Sequence, residues 1–497
     1  MKASNPLVIA LALLATLAPT VLRAQDPADA AWAAGEHDRA RELYAQRVAA
    51  DSNDVRALHR LALLRSWHNE FASAIHLFDR VLQLNPGDTA VAHARARTLS
   101  WSGRLGAAED TYRTLLNANP DDAEARRGLA RVASWRGDLG TGERLWREVV
   151  AADPSDVDAR VGLSQLLRWR GQPSQALEEA RTAVQLAPQN RDAQQQLAWA
   201  EAAFAPRIAP SVSAEFDSDD NQLITTSLSA TVYLSHQVAL TASGYLRSAE
   251  DNRPSIGNLE TRGASLGLRA DVGNGWMLGA TGGVTDRQVA GADAAATFAA
   301  SLASPAWLPV SAQLGVSRTV FDATALLIER GVEIDQANLG VTGQLGSNLR
   351  LEGGVALARF RGVSENDRLL ARLGLDAGVN RWLRLRPRAT AFWFENHVEE
   401  GYFDPDRYAL GELGFGLDRY RGAWAFNAEV APGVQQIGSD GDLQGALGAR
   451  LRIGYSLGPG RDVAISFAMS NLGIERLEAD QAGYRYQAAV ISAGWGF

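Results

Sequence analysis

Two periodicities divide the chain near residue 207. Between about residues 28 and 204 apolar positions recur at helical spacing, as in Ala74-Ile75-His76-Leu77-Phe78-Asp79-Arg80-Val81-Leu82, whereas from about 208 to 497 apolar and polar residues alternate. The stretch Leu383-Arg384-Leu385-Arg386-Pro387-Arg388-Ala389-Thr390-Ala391 carries three arginines on one face of a strand and apolar side chains on the other. The same alternation returns over 369–377 and 447–455. The pattern predicts a helical N-terminal half and a C-terminal half of about sixteen strands, near 18 residues each with its connection.

The helical half is a repeat. Pro86, Pro120, Pro154 and Pro188 stand 34 residues apart, and Trp67, Trp101, Trp135 and Trp169 keep the same step. Each proline closes an amphipathic run, where its ring blocks another helical turn. Gly103, Gly137 and Gly171 fall between paired helices, Ala40, Ala74, Ala108 and Ala176 at a tight helix contact, and Tyr44, Phe78, Tyr112 and Trp146 at a large packing site. A helix–turn–helix period of this length with these positions resembles the tetratricopeptide repeat. Gly142 in place of the contact alanine and Ala180 in place of the aromatic depart from its pattern. One unit cannot bury its apolar face alone, so about five stack and the segment 191–204 closes the solenoid. The periodic tryptophans are read as ending each first helix and packing on the next repeat. Helical phase places His93, Arg97, Arg127, Arg131, Gln165 and Arg168 on the inner, first-helix face, the concave surface on which a solenoid holds an extended partner.

A soluble sheet would not build its core around three arginines, but a barrel wall with lipid outside and water inside would. Short turns at Gly273-Asn274-Gly275, Gly346-Ser347-Asn348 and Gly458-Pro459-Gly460 alternate with longer connections over 251–258, 321–330 and 396–406. This asymmetry predicts a transmembrane antiparallel β-barrel over residues 208–497, and an even strand number puts the repeats at 28–204 in the periplasm. Parity points Arg350, Glu352, Arg368, Arg372, Asp376, Arg384, Arg386, Arg388, Glu412, Asp418, Glu429, Arg450 and Arg452 into the lumen, where about sixteen strands leave room for an aqueous channel. The excess of arginine there favours anionic or hydroxyl-rich cargo. The last strand alternates Ala489, Ile491, Ala493, Trp495 and Phe497 up to the final residue. It resembles the signature that outer-membrane barrels present to their assembly machinery, with Trp495 and Phe497 as its anchors.

Composition narrows the remaining possibilities. Lys2, an apolar run from Pro6 to Val21 and the small Ala24 before Gln25 build a secretory signal peptide over residues 1–24. No later stretch has 18 uninterrupted apolar residues, so a membrane crossing needs the barrel. The absence of cysteine excludes disulfides, thiolate metal sites and a cysteine nucleophile, and a net charge of −8 without a basic tract argues against nucleic acid as a partner. The strand half holds only His236, in a turn, and His397, in Glu395-Asn396-His397-Val398-Glu399-Glu400, read as a solvated external loop. Neither is placed mid-strand beside a serine as a catalytic triad requires, and neither an HExxH motif nor a phosphate-binding glycine loop is present. The expectation is a protein that is not an enzyme and binds no cofactor or metal.

Signal segment, repeats and terminal barrel in this order resemble the outer-membrane exopolysaccharide export porins, such as those for poly-N-acetylglucosamine and cellulose. Gly401-Tyr402-Phe403-Asp404-Pro405-Asp406-Arg407-Tyr408 looks like the Gly-Tyr-(Tyr/Phe)-Ser-Pro loop entry of the cellulose exporter's barrel, with Asp404 where serine is usual. Leu99-Ser100-Trp101-Ser102-Gly103 and Ala133-Ser134-Trp135-Arg136-Gly137 are similar to repeats that precede YaiO-type barrels. The resemblance implies a porin of the outer membrane that passes a polysaccharide while its repeats recruit a periplasmic synthesis or modification protein, although the array is shorter than those of the dedicated exporters. The same parts also fit an outer-membrane scaffold whose repeats bind proteins and whose barrel is closed.

Overall fold

The structure is a computed structural model that describes residues 26–250, 257–289, 291–306, 308–346, 348–380, 382–398, 400–472 and 484–497. The expected signal segment 1–24, most of the connection 251–258, Ser347 and Glu399 lie outside the described residues. The chain divides into two compact units, with the boundary in sequence between Val132 and Ala133. The first holds α1 (Pro27–Ala33), α2 (His37–Ala50), α3 (Val55–Trp67), α4 (Phe71–Leu84), α5 (Thr89–Trp101), α6 (Leu105–Ala118) and most of α7 (Ala123–Trp135). The second begins with α8 (Leu139–Ala152), α9 (Val157–Trp169), α10 (Pro173–Leu186) and α11 (Arg191–Glu201), and continues into the strands.

The helices start and stop where side chains satisfy or free the backbone. Two residues after each repeat proline a carboxylate or amide caps the next helix: Asp88 accepts from Val91 N at 3.1 Å, Asp122 from Ala125 N at 2.9 Å, Asp156 from Ala159 N at 2.9 Å and Asn190 from Ala193 N at 3.0 Å. Each such cap contributes about 1 kcal/mol. Between paired helices the chain reverses at Gly103, Gly137 and Gly171 with φ of 79°, 81° and 71°, a left-handed conformation that glycine adopts freely. The large packing residues Tyr44, Phe78, Tyr112 and Trp146 are buried. Their rings need a gap on the facing helix: a Cβ at Gly128 would overlap the Tyr112 ring, and one at Gly162 would come within 2.5 Å of the Trp146 ring.

The tryptophan series differs from its sequence reading. Trp67, Trp101, Trp135 and Trp169 do end α3, α5, α7 and α9. They remain 44 %, 41 %, 37 % and 44 % exposed, because a helix-end position lies beside the seam that the second-helix aromatics fill. His59 of α3 sits half-buried against Phe78. Burial holds its imidazole below the ordinary pKa of 6.5, opposed in part by the Asp88 charge.

The strands are β1 (Arg207–Asp217), β2 (Gln222–Tyr233), β3 (Val238–Glu250), β4 (Asn258–Asp271), β5 (Met277–Arg287), β6 (Ala295–Ala303), β7 (Val310–Val320), β8 (Glu333–Gln344), β9 (Leu349–Arg361), β10 (Glu365–Gly378), β11 (Leu383–Phe394), β12 (Arg407–Arg421), β13 (Trp424–Ile437), β14 (Leu443–Gly458), β15 (Arg461–Ser470) and β16 (Tyr486–Gly496). Each pairs antiparallel with its sequence neighbours, and β1 closes on β16 through Ile208 opposite Trp495 and Val212 opposite Ile491. One face of this wall presents Ile224, Leu228, Leu266, Leu314, Leu373 and Ile491, each more than half exposed. Apolar exposure on this scale faces lipid.

Trp276, Trp382, Trp424, Tyr455 and Trp495 gather near the short turns, as an aromatic girdle does at a membrane interface. From Trp382 to Trp393 the chain climbs about 36 Å along the strand, which a tilt of about 40° reduces to about 28 Å across the membrane, the thickness of a hydrocarbon core. Among the described residues no helix is long and apolar enough to cross a membrane. The end of the second unit's helical segment meets the short-turn end, with the Phe204 ring 5.3 Å from Tyr233 and 4.8 Å from His236.

Trp146→Ala should cost about 3–5 kcal/mol by emptying the space that Gly162 leaves for the ring, and Asp88→Ala about 1 kcal/mol through one lost cap. Urea unfolding followed by far-ultraviolet circular dichroism reads both. Because the folded pKa of His59 is depressed, its contribution is present above 6.5 and lost as pH falls through the lower folded value. Helical melting temperature should therefore drop below about pH 6, and His59→Gln should reduce that drop; an identical acid profile would contradict the assignment.

Candidate functional site

The candidate site is the inner wall of the barrel over β9 to β14. In β11 Leu385, Pro387, Ala389 and Trp393 share the lipid face, so Arg384, Arg386 and Arg388 point inward. Register sets Arg386 against Gly414 and Arg388 against Glu412 of β12, and Gly416 against Glu429 of β13. Strand β12 presents glycine where an arginine must cross it: a Cβ at Gly416 would come within 2.5 Å of Arg386 Nη1. Across that gap Arg386 donates to Glu429 at 2.7 Å, to Asp418 at 3.1 Å and to Asp376 at 3.4 Å. Arg388 donates to the other Glu429 oxygen at 2.5 Å and lies 3.8 Å from Glu412. Arg384 donates to Asp376 at 2.5 Å.

The remaining expected lumen residues surround this network or stand apart from it. Arg350 and Glu352 pair with each other on β9. Arg450 and Arg452 of β14 join Arg386, Asp418 and Glu429 around a cavity of about 310 Å³. Arg372 stands opposite Gly354 and Thr390. Among these thirteen positions eight are arginine and five are carboxylates, so the wall is cationic by three charges (8 − 5). Guanidinium groups held by carboxylate forks keep unused N–H donors at fixed positions, which suits them to hydroxyl and anionic groups.

Towards the long-loop end the same wall turns apolar. Phe360, Phe392, Phe394 and Tyr408 point inward and are buried. They enclose Arg368, whose guanidinium lies 5.0 Å from the Phe360 ring and 5.7 Å from Phe394. Its Nε has no hydrogen-bond partner among the described residues. Parity placed Arg368 on the inner face without showing that aromatics line its surroundings. The signal was present in the four aromatic residues at inward positions of strands otherwise lined by charge.

Two connections complete this plug, and both differ from the external loops expected of them. Residues 321–332 run across the lumen as a strap. Its short helix α12 (Ala325–Arg330) is capped by Thr324 Oγ1 on Leu327 N at 3.1 Å and ends at Gly331 with φ 68°. Ala325 and Ile328 pack with Leu223 of β2 and Ala249 of β3, while Leu327 and Phe321 join the aromatics of the far wall. Asp322 fastens the strap. Its buried carboxylate accepts from Arg247 at 2.5 Å, Thr261 at 2.8 Å and Tyr245 at 3.0 Å on β3 and β4.

In the connection 395–406, Glu400, Tyr402, Phe403 and Asp404 turn inward and are buried, while Glu395, Asn396, His397 and Asp406 stay exposed. Tyr402 stacks on Phe360 at 4.7 Å, and buried Asp404 accepts from Val398 N at 2.6 Å with His397 Nδ1 2.8 Å away. A Cβ at Gly401 would overlap Leu326 of the strap, so glycine allows loop and strap to touch. Among the described residues no group of histidines and carboxylates is arranged to hold a metal ion.

On the repeats, His93 is buried with its Nε2 2.8 Å from Asp122, which ties α5 to the start of α7. Arg97 lies 3.5 Å from Glu124 with its guanidinium 5.7 Å from the Trp101 ring, and Arg127 and Arg131 are half-buried on α7. In the second unit Gln165 is exposed, and Arg168 donates to Gln196 at 3.2 Å while lying 5.3 Å from the Trp199 ring.

Asp322→Ala would leave Arg247 without its counter-charge and release the strap, since breaking one partner of a buried pair costs about 3–5 kcal/mol. Tryptic cleavage after Arg330 in the folded barrel should accelerate about tenfold or more; equal rates would show that the strap is held by other contacts.

A tetratricopeptide repeat family model matches residues 68–132. A comparison with curated protein sequences gives no match. Among solved structures, a bacterial polysaccharide outer membrane secretin is similar over 59 % of this chain and 99 % of its own, at 11 % identity and a TM-score of 0.48. A tetratricopeptide repeat protein from Parabacteroides merdae is similar over 39 % of this chain and 77 % of its own, at 17 % identity and a TM-score of 0.35. A repeat protein with an unusual peptide-binding site is similar over 34 % and 86 %, at 18 % identity and a TM-score of 0.28. The chain thus carries tetratricopeptide repeats ahead of a closed sixteen-stranded antiparallel barrel.

Proposed function

We propose that the protein is an outer-membrane conduit that exports, or helps export, a polysaccharide, and that its repeats lie in the periplasm and recruit the protein that makes or modifies the polymer. The reading rests above all on the arginine–carboxylate network of the inner wall, where Arg386 and Arg388 reach over glycine gaps to Glu429, Asp418 and Asp376. A hydroxyl-rich chain moving past such a wall exchanges hydrogen bonds with donors and acceptors already fixed in place, and many weak contacts in series permit entry and release alike. The order of repeats and barrel, which resembles the exopolysaccharide exporters, supports the same reading. In this account the strap at 321–332 closes the long-loop end at rest and swings aside for the polymer.

A second reading is favoured by the strap itself: with the plug in place the barrel is a sealed anchor and the repeats act as a scaffold. Planar-bilayer recording separates the two. The wild-type barrel should conduct rarely, and Asp322→Ala should hold it open. Adding Arg372→Glu and Arg452→Glu to that background should move the reversal potential towards cation selectivity, because two cations become two anions on the wall. A silent Asp322→Ala barrel would favour the anchor. In cells, deleting the gene should abolish secreted polymer while synthesis continues, and unchanged secretion would refute export.

A further inference from the structure

The inner wall holds an arginine that its own carboxylates do not reach. Arg384, Arg386 and Arg388 all end on Asp376, Asp418 or Glu429. Arg368 of β10 makes no ion pair among the described residues, and its Nε has no hydrogen bond. The titratable groups that act on it are Arg372 and Tyr402, and neither is a carboxylate. Asp376, the nearest inward acid on the same strand, lies eight residues farther on (376 − 368), about 26 Å by strand rise.

What surrounds this guanidinium is aromatic. Its carbon lies 5.0 Å from the Phe360 ring, 5.7 Å from Phe394 and 6.0 Å from Phe392. Attraction to ring faces returns part of the hydration that a half-buried cation gives up. It does not neutralise the charge, so the position favours an anion that brings an apolar side of its own. Two groups that cover the nest do not belong to the wall: Tyr402 of the connection stacks on Phe360 at 4.7 Å, and Phe321 of the strap meets the same ring at 5.9 Å. A flat six-membered ring thus already occupies the face of Phe360.

We infer that Arg368 and Phe360 form a binding site for one uronic acid residue of an acidic polysaccharide, with the pyranose taking the place of the Tyr402 ring and the carboxylate on the guanidinium. One cation matches one negative charge, and a planar carboxylate fits the guanidinium fork. A phosphate monoester would carry surplus charge in among aromatic walls that give it no donor. The sugar's C–H face buries against Phe360 as any apolar surface does. That this sugar belongs to a transported polymer rests on the export reading.

Calorimetric titration of the full chain in detergent tests the site with three probes: trigalacturonate, its trimethyl ester and acetate. Because Tyr402 covers Phe360, Tyr402→Ala should bind trigalacturonate about tenfold or more tighter than the wild type. To that variant the ester and acetate should each bind about tenfold or more weakly than trigalacturonate, the first for want of charge and the second for want of a ring. Adding Arg368→Gln or Phe360→Leu should weaken trigalacturonate binding to the same degree. Arg372→Gln removes an equal charge from the same strand and should weaken it by less than about threefold. Arg262→Gln, which breaks the outward pair with Asp286 on β4 and β5, should leave it unchanged.

The order of the probes and the loss with Arg368→Gln should hold in the wild type at higher concentration, so the test stands even if Tyr402→Ala does not fold. Equal binding of acid and ester, binding that survives Arg368→Gln, or no gain from a folded Tyr402→Ala would overturn the proposal. Arg368→Met gives a readout without ligand: with no counter-charge to strand, it should unfold at the wild-type temperature or above in heat-modifiable migration. A lower temperature would mean that the barrel pairs Arg368 itself and would overturn the site as well. The titration involves neither conduction nor secretion, so a barrel that binds uronate but exports nothing refutes only the export reading, and the reverse result refutes only this site.

Discussion

In lipid, every backbone N–H and C=O must find its partner within the protein. For a chain whose described helices are all too short and polar to cross a membrane, that constraint leaves one solution, a sheet with no free edge. Pairing β1 with β16 provides it, and the rest of the barrel follows from the closure. Once the sheet is a cylinder, simple alternation becomes a choice between outside and inside. Leu385 and Trp393 go to lipid and Arg384, Arg386 and Arg388 to the lumen, without any residue-specific instruction beyond parity. A slip of one residue in register would put arginine in hydrocarbon, so the pattern protects the register that it depends on.

The interior then carries two opposed chemistries along its length. Near the short turns, carboxylates on three strands hold arginines that have crossed glycine gaps, a wet and cationic wall. Near the long connections, aromatic side chains and the strap make a dry plug. The strap is apolar on both sides of α12 and is anchored by one buried carboxylate with three donors. Such an arrangement can have two states, because the strap is held by charged latches, among them Asp322 with Arg247 and Arg330 with Glu400, and a buried carboxylate is stable only while all its partners stay in place.

Much of this was legible in the residues. Proline and tryptophan spacing located the repeats, alternation located sixteen strands, and parity put the arginines of β11 on the inner face. Less visible were the Asp and Asn caps that follow each proline, although they share its period. The tryptophans were misread because recurrence indicates a shared environment without saying whether it is the core or its rim.

The plug was hidden for a different reason. Asp322 meets Tyr245, Arg247 and Thr261, between 61 and 77 residues away, and no local pattern reports a contact of that range. The composition of 395–406 suggested solvent, yet Glu400 and Asp404 are buried by what surrounds them. Gly401, whose missing Cβ leaves room for Leu326, makes sense only once the strap is in place.

The most direct test of a strapped conduit locks the strap. Ala249 and Ala325 are buried in one cluster on either side of that contact, and the chain has no cysteine of its own to interfere. In cells producing Ala249→Cys, Ala325→Cys, the oxidised protein should retain polymer in the periplasm while synthesis continues, and a membrane-permeant reductant should restore secretion. Undiminished secretion with the disulfide shown to be formed would contradict the account.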